Sequence, residues 1–250
     1  MPEGPEVRIM TEDNNMTYDI LYNIKFYKRS KINKKNIKNF SKIKYPQEIK
    51  KHYNIGKEIF IVLEKYIIII NLGFGKYDNY KNKYTIIEFE LLNNKKTYIN
   101  DMRKFSSFDI IKKEEFNNYI NNLGYDPLHH NINFEKFYNN YILKYNSKQD
   151  IYKKLLDQRI FAGCGNYIRC ELIYDSKVDP FCDYNKITKR NWKRIFKSYN
   201  KIVKKSYKLQ NNFSSIIFNV YRRVDKNDVI NIKDNNRTFW YSTSIKYYKC

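Results

Sequence analysis

The chain opens Met1-Pro2-Glu3-Gly4-Pro5-Glu6. Loss of the initiator Met, usual ahead of a residue as small as Pro, leaves Pro2 with a free secondary amine. An α-amino group titrates near pH ~8, against about 10.4 for a Lys side chain, so far more of it is neutral and nucleophilic under physiological conditions. Attack of such an amine on a sugar C1′ gives a Schiff base, which divides one difficult bond cleavage into two easier steps. Because the amine is secondary, the product is an iminium that stays cationic without a proton, an electron sink suited to β-elimination. Glu3 is the neighbour that could give or take the accompanying proton. Taken alone, Met-Pro-Glu is also a common protein start.

Two further segments carry chemistry. Gly163-Cys164-Gly165-Asn166-Tyr167 lies between two helical stretches. Its glycines permit a tight turn that brings backbone N–H groups to an anion at the N-terminus of the following helix, and Asn166 adds a side-chain donor. A Gly-rich helix connection needs no ligand to explain it, however. Near the C-terminus stands Asn236-Arg237-Thr238-Phe239-Trp240-Tyr241. A basic residue at a hairpin tip backed by aromatics suits phosphate or base contact.

The balance of charge bears on the partner. Lys and Arg number 48 against 26 Asp and Glu, a formal +22 over 250 residues, and a surplus this large favours a polyanion, most often nucleic acid. A coding bias towards Lys, Asn, Ile and Tyr would raise the charge as well. The four cysteines, Cys164, Cys170, Cys182 and Cys250, contain no C-x-x-C pair, and His52, His129 and His130 make no ligand set with them. They read as small core residues or free thiols in a reducing compartment, with neither zinc ribbon nor disulfide framework. Residues 1–15 are polar and acidic where a secretory signal would be apolar. The longest apolar stretch, residues 66–70, is far too short for a bilayer. A soluble intracellular protein is expected.

The elements that must position these residues divide the chain. Residues 4–12 suit a short helix, with Pro5 in the first turn and Glu6 at its N-terminal end. Residues 59–70 are β-rich. In residues 85–92, Ile87, Phe89 and Leu91 alternate with Glu88 and Glu90, the period of a half-buried strand, and residues 96–108 continue the pattern with aromatics. So many strands in about 100 residues suggest a sandwich or barrel. Residues 121–132, with Gly124, Asp126, Pro127 and two His, form a connector. Helical spacing follows at 134–143, 148–160 and 167–176, with Cys164, Ile168 and Leu172 on one helix face. A basic amphipathic stretch covers 186–210, and a strand at 238–243 follows the turn-forming Asp234-Asn235-Asn236. The reading is two domains, β then helical, joined near 110–130.

These pieces together resemble the formamidopyrimidine-DNA glycosylase / endonuclease VIII group of base-excision enzymes. Met-Pro-Glu-Gly-Pro-Glu is similar to the endonuclease VIII form of that family's N-terminus. Ile55-Gly56-Lys57 looks like its catalytic-lysine loop, and Asp101-Met102-Arg103-Lys104-Phe105 like its Asp-x-Arg-x-Phe element. Leu123-Gly124-Tyr125-Asp126-Pro127-Leu128 resembles the lead into the helix–two-turn–helix module. Leu156-Asp157-Gln158 through Gly165-Asn166-Tyr167, then Glu171 and Asp179-Pro180, follow that module's signature. Val220-Tyr221-Arg222 and Arg237-Thr238-Phe239-Trp240 match the C-terminal finger.

The resemblance implies an α+β protein: an N-terminal β-sandwich catalytic domain (1–115), a linker (116–130), a helix–two-turn–helix domain (131–217) and a C-terminal β-hairpin finger (218–250). It implies roles as well. Pro2 attacks C1′ and Glu3 acts as general acid/base. Lys57 contacts the phosphate beside the lesion and assists catalysis. Asn166, with Gly165, holds the same phosphate region, and Arg237 clamps phosphates flanking the extruded nucleotide. Arg103 and Phe105 fill the gap in the stack, since chemistry at C1′ requires the nucleotide to leave the duplex. Phe74, in Leu72-Gly73-Phe74-Gly75, falls where the family's third void-filling residue stands, and Glu6 and Tyr221 fall among the DNA-facing positions.

This sequence departs from the family in its finger. Four cysteines usually hold zinc there, but residues 220–250 contain only Cys250, so zinc cannot be held in that way. The pattern resembles the zincless finger of eukaryotic and giant-virus endonuclease VIII-like enzymes, with Phe239, Trp240 and Tyr241 packing in place of metal. The stretch before Val220 is short where purine-preferring members carry a lesion-capping loop, so oxidised pyrimidines are the expected substrates. The expectation is a monomeric glycosylase/AP lyase needing no metal or organic cofactor. It would act on damaged duplex, single-stranded or bubble DNA in a nucleus, viral factory or virion.

Overall fold

Strand-forming and helix-forming segments separate along the chain into two compact units in the computed structural model, which describes residues 1–28, 30–234 and 237–250. One unit comprises Met1–Pro2 and Glu6–Asn122, the other Glu3–Pro5 and Leu123–Cys250.

Helix α1 (Gly4–Asp13) lies in the first unit from Glu6 onward, and the described residues of that unit go on to form the strands β1 (Ile20–Phe26), β2 (Gln47–Glu48), β3 (Lys51–Ile55), β4 (Glu58–Val62), β5 (Tyr66–Asn71), β6 (Lys76–Asp78), β7 (Thr85–Leu91), β8 (Lys96–Asn100) and β9 (Ser107–Lys112). They form a five-stranded sheet ordered β2-β1-β7-β8-β6 and a four-stranded sheet ordered β3-β4-β5-β9. The pairings are antiparallel. Ile59, Ile61, Ile68 and Ile70 from one sheet share a core with Leu21, Ile87, Phe89 and Ile99 from the other, so the sandwich expected from strand periodicity is present. The unbroken Ile67-Ile68-Ile69-Ile70 run has a physical reason. The outward face of its sheet is covered too, with Phe60 packed edge-on against Phe116 of the short helix α2 (Phe116–Ile120).

The alternation in 85–92 marks a strand but misstates its burial. Glu88 is only 3% exposed, because β7 is the central strand of its sheet. Its carboxylate is paired there with Lys96 Nζ at 2.8 Å and with the Tyr27 hydroxyl. Residues 96–108 likewise make two strands, β8 and β9, and the loop between them carries Arg103 and Phe105.

The second unit holds α3 (Phe134–Phe137, continued by a π-helical turn Tyr138–Ile142), α4 (Ile151–Lys154), α5 (Asn166–Ser176), α6 (Lys189–Asn211) and the hairpin β10 (Val229–Asp234) and β11 (Arg237–Ser242). Trp192, Ile195, Tyr199 and Val203 of α6 share one core with Ile168, Leu172 and Ile173 of α5. The helix expected over 148–160 is only one turn long. The Asp157 carboxylate takes Arg159 N at 3.1 Å and Lys154 Nζ at 2.8 Å, a local alternative to the helical ladder. Cys164 is buried with Ile168 and Leu172, yet it precedes α5 and is not on its face. Of the expected turn 234–236, Asn235 and Asn236 lie outside the described residues.

One expectation is overturned. Cys182 and Cys250 form a disulfide across a sequence separation of 68, while Cys164 and Cys170, both buried, stay outside any disulfide. The C-terminal residues return beside 177–182, with Asp179 N on Tyr248 O at 3.0 Å and Tyr248 N on Lys177 O at 2.7 Å. That approach is tertiary, so cysteine spacing could not reveal it.

A buried histidine sets a pH dependence. His52 Nδ1 accepts from Met16 N at 3.2 Å, while its Nε2 is buried with no partner among the described residues. Burial, and then the charge of Lys95, push its pKa down from 6.5 to about 3. Unfolded His52 takes a proton as pH falls below 6.5 while folded His52 resists until about 3, so the unfolded chain binds more protons in that window. Stability is therefore full above the window and falls as pH drops through it. Urea unfolding compared at about pH 7 and about pH 5 is expected to show this loss, and His52→Gln is expected to shrink it.

Candidate active site

The turn before α5 is built by Gln158 and two glycines. Gln158 Nε2 donates to Leu156 O at 2.9 Å and Cys164 O at 2.8 Å, and Gly163 N donates to Gln158 Oε1 at 3.0 Å. Gly163 has φ +94°, a conformation that favours glycine. Its carbonyl accepts Gly4 N at 2.9 Å, which draws the first residues of the chain onto the turn.

Glu3 then occupies the N-terminus of α5. Its carboxylate accepts Tyr167 N at 2.9 Å and Ile168 N at 3.1 Å, and the residue is 3% exposed. The anion expected at this helix end is thus supplied by the chain itself, satisfying amides that helix geometry leaves unpaired. Gly165 makes the approach possible, since a Cβ there would stand 2.2 Å from Glu3 Cδ. Pro2, half-buried, is covalently next to this fixed carboxylate.

Asn166, the first residue of α5, is engaged on both sides. Nδ2 donates to Thr238 O of β11 at 2.9 Å, and Oδ1 accepts Arg169 Nε at 3.0 Å. Arg169 is fully buried. It donates to Tyr152 O at 3.3 Å and pairs with Asp234 of β10 at 2.9 Å, with its guanidinium 5.3 Å from the centre of the Phe239 ring. Phe239 stacks on Tyr152 at 4.6 Å, and Trp240 N meets Cys170 Sγ at 3.4 Å. The hairpin is therefore held by aromatic packing, as expected, and also by a buried cation that nothing in its sequence context distinguishes. Glu171 closes the same unit. Its carboxylate accepts the backbone amides of Asn219, Val220 and Tyr221 at 2.9–3.0 Å, which fixes Tyr221 beside Tyr167. Arg237 is exposed at the start of β11, opposite Asp234.

In the first unit, strand register gathers another set. Ile55 pairs with Glu58, Glu58 with Asn71, and Asn71 with Ser107. The turn holding Lys57, the loop holding Phe74 and the loop holding Arg103 and Phe105 therefore leave the four-stranded sheet at one end. Asp101 shapes the last loop. Its carboxylate accepts Arg103 N at 2.9 Å, Phe105 N at 2.7 Å, and Ser106 N and Oγ at 2.8 Å. Burial pushes that carboxyl up, but the Ser106 hydroxyl and the backbone amides of Ser106, Arg103 and Lys104 outweigh it, so its pKa lies below the ordinary value. Gly73 (φ +55°) lets the two loops touch, since a Cβ would stand 2.8 Å from the Phe105 backbone. The Arg103 guanidinium lies 4.5 Å from the Phe74 ring centre and Phe74 lies 5.6 Å from Phe105, with both rings about half exposed, 43% and 59%. Two bare aromatics and a cation in one cluster suit a wedge between stacked bases. Lys57 is half-buried in its turn, and Glu6, half-buried in the first turn of α1, is not part of this cluster.

The sequence matches two family profiles, the formamidopyrimidine-DNA glycosylase N-terminal domain over residues 1–108 and the formamidopyrimidine-DNA glycosylase H2TH domain over residues 123–217. It is 30% identical over 212 residues to the formamidopyrimidine-DNA glycosylase of Oceanobacillus iheyensis, covering 78% of this chain and 72% of that protein. The chain belongs to this family. A formamidopyrimidine-DNA glycosylase of a Drosophila simulans Wolbachia is 26% identical over 208 residues, 78% of this chain and 74% of that protein. The formamidopyrimidine-DNA glycosylase fold extends along the whole chain. MutM in complex with carbocyclic 8-oxo-G containing DNA matches with TM-score 0.80 and 20% identity, over 97% of this chain and 98% of that one. The Lactococcus lactis enzyme non-covalently bound to DNA containing an AP site matches with TM-score 0.78 and 20% identity, over 96% and 97%.

The finger zinc implied by the family resemblance does not fit these residues. Cys250, the sole cysteine of 220–250, is bonded to Cys182. Among the described residues no group of three or more His, Cys, Asp or Glu could hold a metal ion.

Two substitutions test this arrangement. Gly165→Ala is expected to displace Glu3 and the residue joined to it and to lower the rate of oxidised-base release by about a hundredfold, the size of loss that a misplacement of about 1 Å brings, while the protein remains folded by circular dichroism. Arg169→Ala leaves Asp234 and one side of Asn166 unpaired. It is expected to cost about 3 kcal/mol in denaturant unfolding and to expose hairpin amides to hydrogen exchange before the rest of its unit.

Proposed function

We propose that the protein is a bifunctional DNA glycosylase/AP lyase for oxidised bases that uses the Pro2 amine as nucleophile. The supporting observation is the Glu3 carboxylate pinned on the α5 amides, because it anchors the residue next to that amine. Once Met1 is removed, Pro2 nitrogen attacks C1′ and the bond from C1′ to the base breaks, the base leaving with a proton. Opening of the sugar ring then gives the iminium. Loss of a C2′ proton breaks the C3′–O bond and releases the 3′ side of the strand. A second elimination at C5′ leaves a gap with phosphate ends. Glu3 moves the protons. Lys57, Asn166 and Arg237 hold phosphates around the extruded nucleotide, with Gly165, Glu6 and Tyr221 in the same DNA-facing set. Arg103, Phe105 and Phe74 fill its place in the stack.

The finger without metal cysteines supports an endonuclease VIII-like subtype. Oxidised pyrimidines are the favoured substrates, because only residues 212–219 separate the end of α6 from Val220, too few for a large lesion cap. The oxidised-purine reading rests on the similar proteins, which carry the formamidopyrimidine name.

Borohydride trapping on a duplex with one abasic site tests the nucleophile, using protein with a verified Pro2 terminus beside a sample that retains Met1 or a tag. An adduct with the first alone is expected. Adducts with both would move the nucleophile to a lysine, Lys57 first, and adducts with neither would leave a basic DNA-binding protein. A panel of thymine glycol, dihydrouracil and 8-oxoguanine decides the lesion, with faster release of the pyrimidines expected.

A further inference from the structure

Helix α6 is unusual for one that faces solvent. Nine of its 23 residues are Lys or Arg and none is Asp or Glu. At 3.6 residues per turn, Arg190, Lys193, Lys197, Lys201, Lys204 and Lys208 fall within an arc of about 80°. That arc is centred almost opposite the one carrying the buried Trp192, Ile195, Tyr199 and Val203. All six cations are exposed, and at 1.5 Å per residue the stripe runs about 27 Å. Lys201 is paired with Asp175; among the described residues the other five make no ion pair.

A face selected only for solubility mixes signs, because Glu–Lys pairs four apart stabilise a helix and like charges at that spacing destabilise it. Here Lys193, Lys197 and Lys201 follow one another at that spacing, and Lys204 and Lys208 repeat it. Within the stripe, Asp175 is the one acid among the described residues that pairs with a cation and relieves this repulsion; Glu135 pairs with Lys189, outside the stripe.

We propose that the stripe is a second polyphosphate track, which binds the backbone of duplex DNA apart from the residues gathered at the α5 N-terminus and the hairpin. DNA carries one charge per ~1.7 Å of axis, so the stripe can run beside about eight base pairs. Lysine ammonium groups on flexible stems are point charges that meet phosphates without reading sequence. An anionic membrane is the poorer fit, because a basic helix binds one by inserting its apolar face, and that face of α6 is buried in the core shared with α5. The track would hold the protein on undamaged DNA between lesions, and in this it rests on the repair reading above.

The test replaces Lys193, Lys197, Lys204 and Lys208 together by Gln and, separately, by Arg. Binding of undamaged duplex is followed by fluorescence anisotropy between roughly 50 and 200 mM salt. With about 0.9 in slope per neutralised phosphate, the Gln variant is expected to flatten the plot of log affinity against log salt by roughly two to four. The Arg variant should keep the parent slope. The Gln variant should melt no lower than the parent, since repulsion has been removed. Slopes that agree between parent and Gln variant would overturn the proposal. So would loss of binding to phosphatidylserine vesicles with the DNA slope unchanged, which would assign the face to a membrane. Borohydride trapping by the parent is a separate readout. A changed slope without trapping keeps the track and removes the lyase, and trapping with an unchanged slope does the reverse.

Discussion

The structure turns on one carboxylate. Glu3 closes the N-terminus of a helix whose donor amides lie 164 and 165 residues further along the chain. Much of the surrounding sequence serves that contact. Gly165 clears the space, Gly163 and Gln158 bend the turn, and Gly4 ties back to Gly163. Without them the first residues would be a frayed terminus, the usual fate of chain ends with nothing to hold them. The nucleophile proposed at Pro2 would, on a frayed end, lose the advantage of a held geometry, which is worth several orders of magnitude in rate.

The hairpin shows how a finger can be held without metal. Zinc would gather four ligands around one charge. Here Arg169 gathers Asn166, the Tyr152 carbonyl and Asp234, and lies against Phe239. Its Nε and Nη1 spread their hydrogen bonds over three elements at once, while Nη2 is buried with no partner among the described residues. The arrangement joins the helix that carries Asn166 to the strands that carry Arg237, so the two polar groups are held by a common support.

Much of this was legible in the sequence where chemistry and local period coincide. The alternation of Ile87, Phe89 and Leu91 marked a strand, and the basic amphipathic stretch 186–210 marked a helix. The Gly-Cys-Gly-Asn turn, the Leu-Gly-Phe-Gly loop and the Asp-x-Arg-x-Phe loop were all visible as motifs. What stayed hidden depends on tertiary neighbours. Glu88 alternates as a surface residue should, yet it is buried because strands flank it on both sides. Arg169 is one cation among 48 Lys and Arg, and only the hairpin folded over it makes it special. Glu3 stood out in the sequence by its place beside Pro2, but its position on a helix N-terminus was not legible, since its partners are remote. Cys182 and Cys250 carry no spacing signal, and only the return of the C-terminal residues beside 177–182 brings them together.

That last pairing changes the topology of the second unit. The bond between Cys182 and Cys250 closes the backbone into a covalent ring that contains all of α6 and both strands of the hairpin. The exposed residues Asn211 to Ser215, the kind of surface connection a protease reaches first, lie inside that ring. A single cut there opens the ring without freeing a fragment, so the nicked chain keeps its mass until a reductant parts the two pieces.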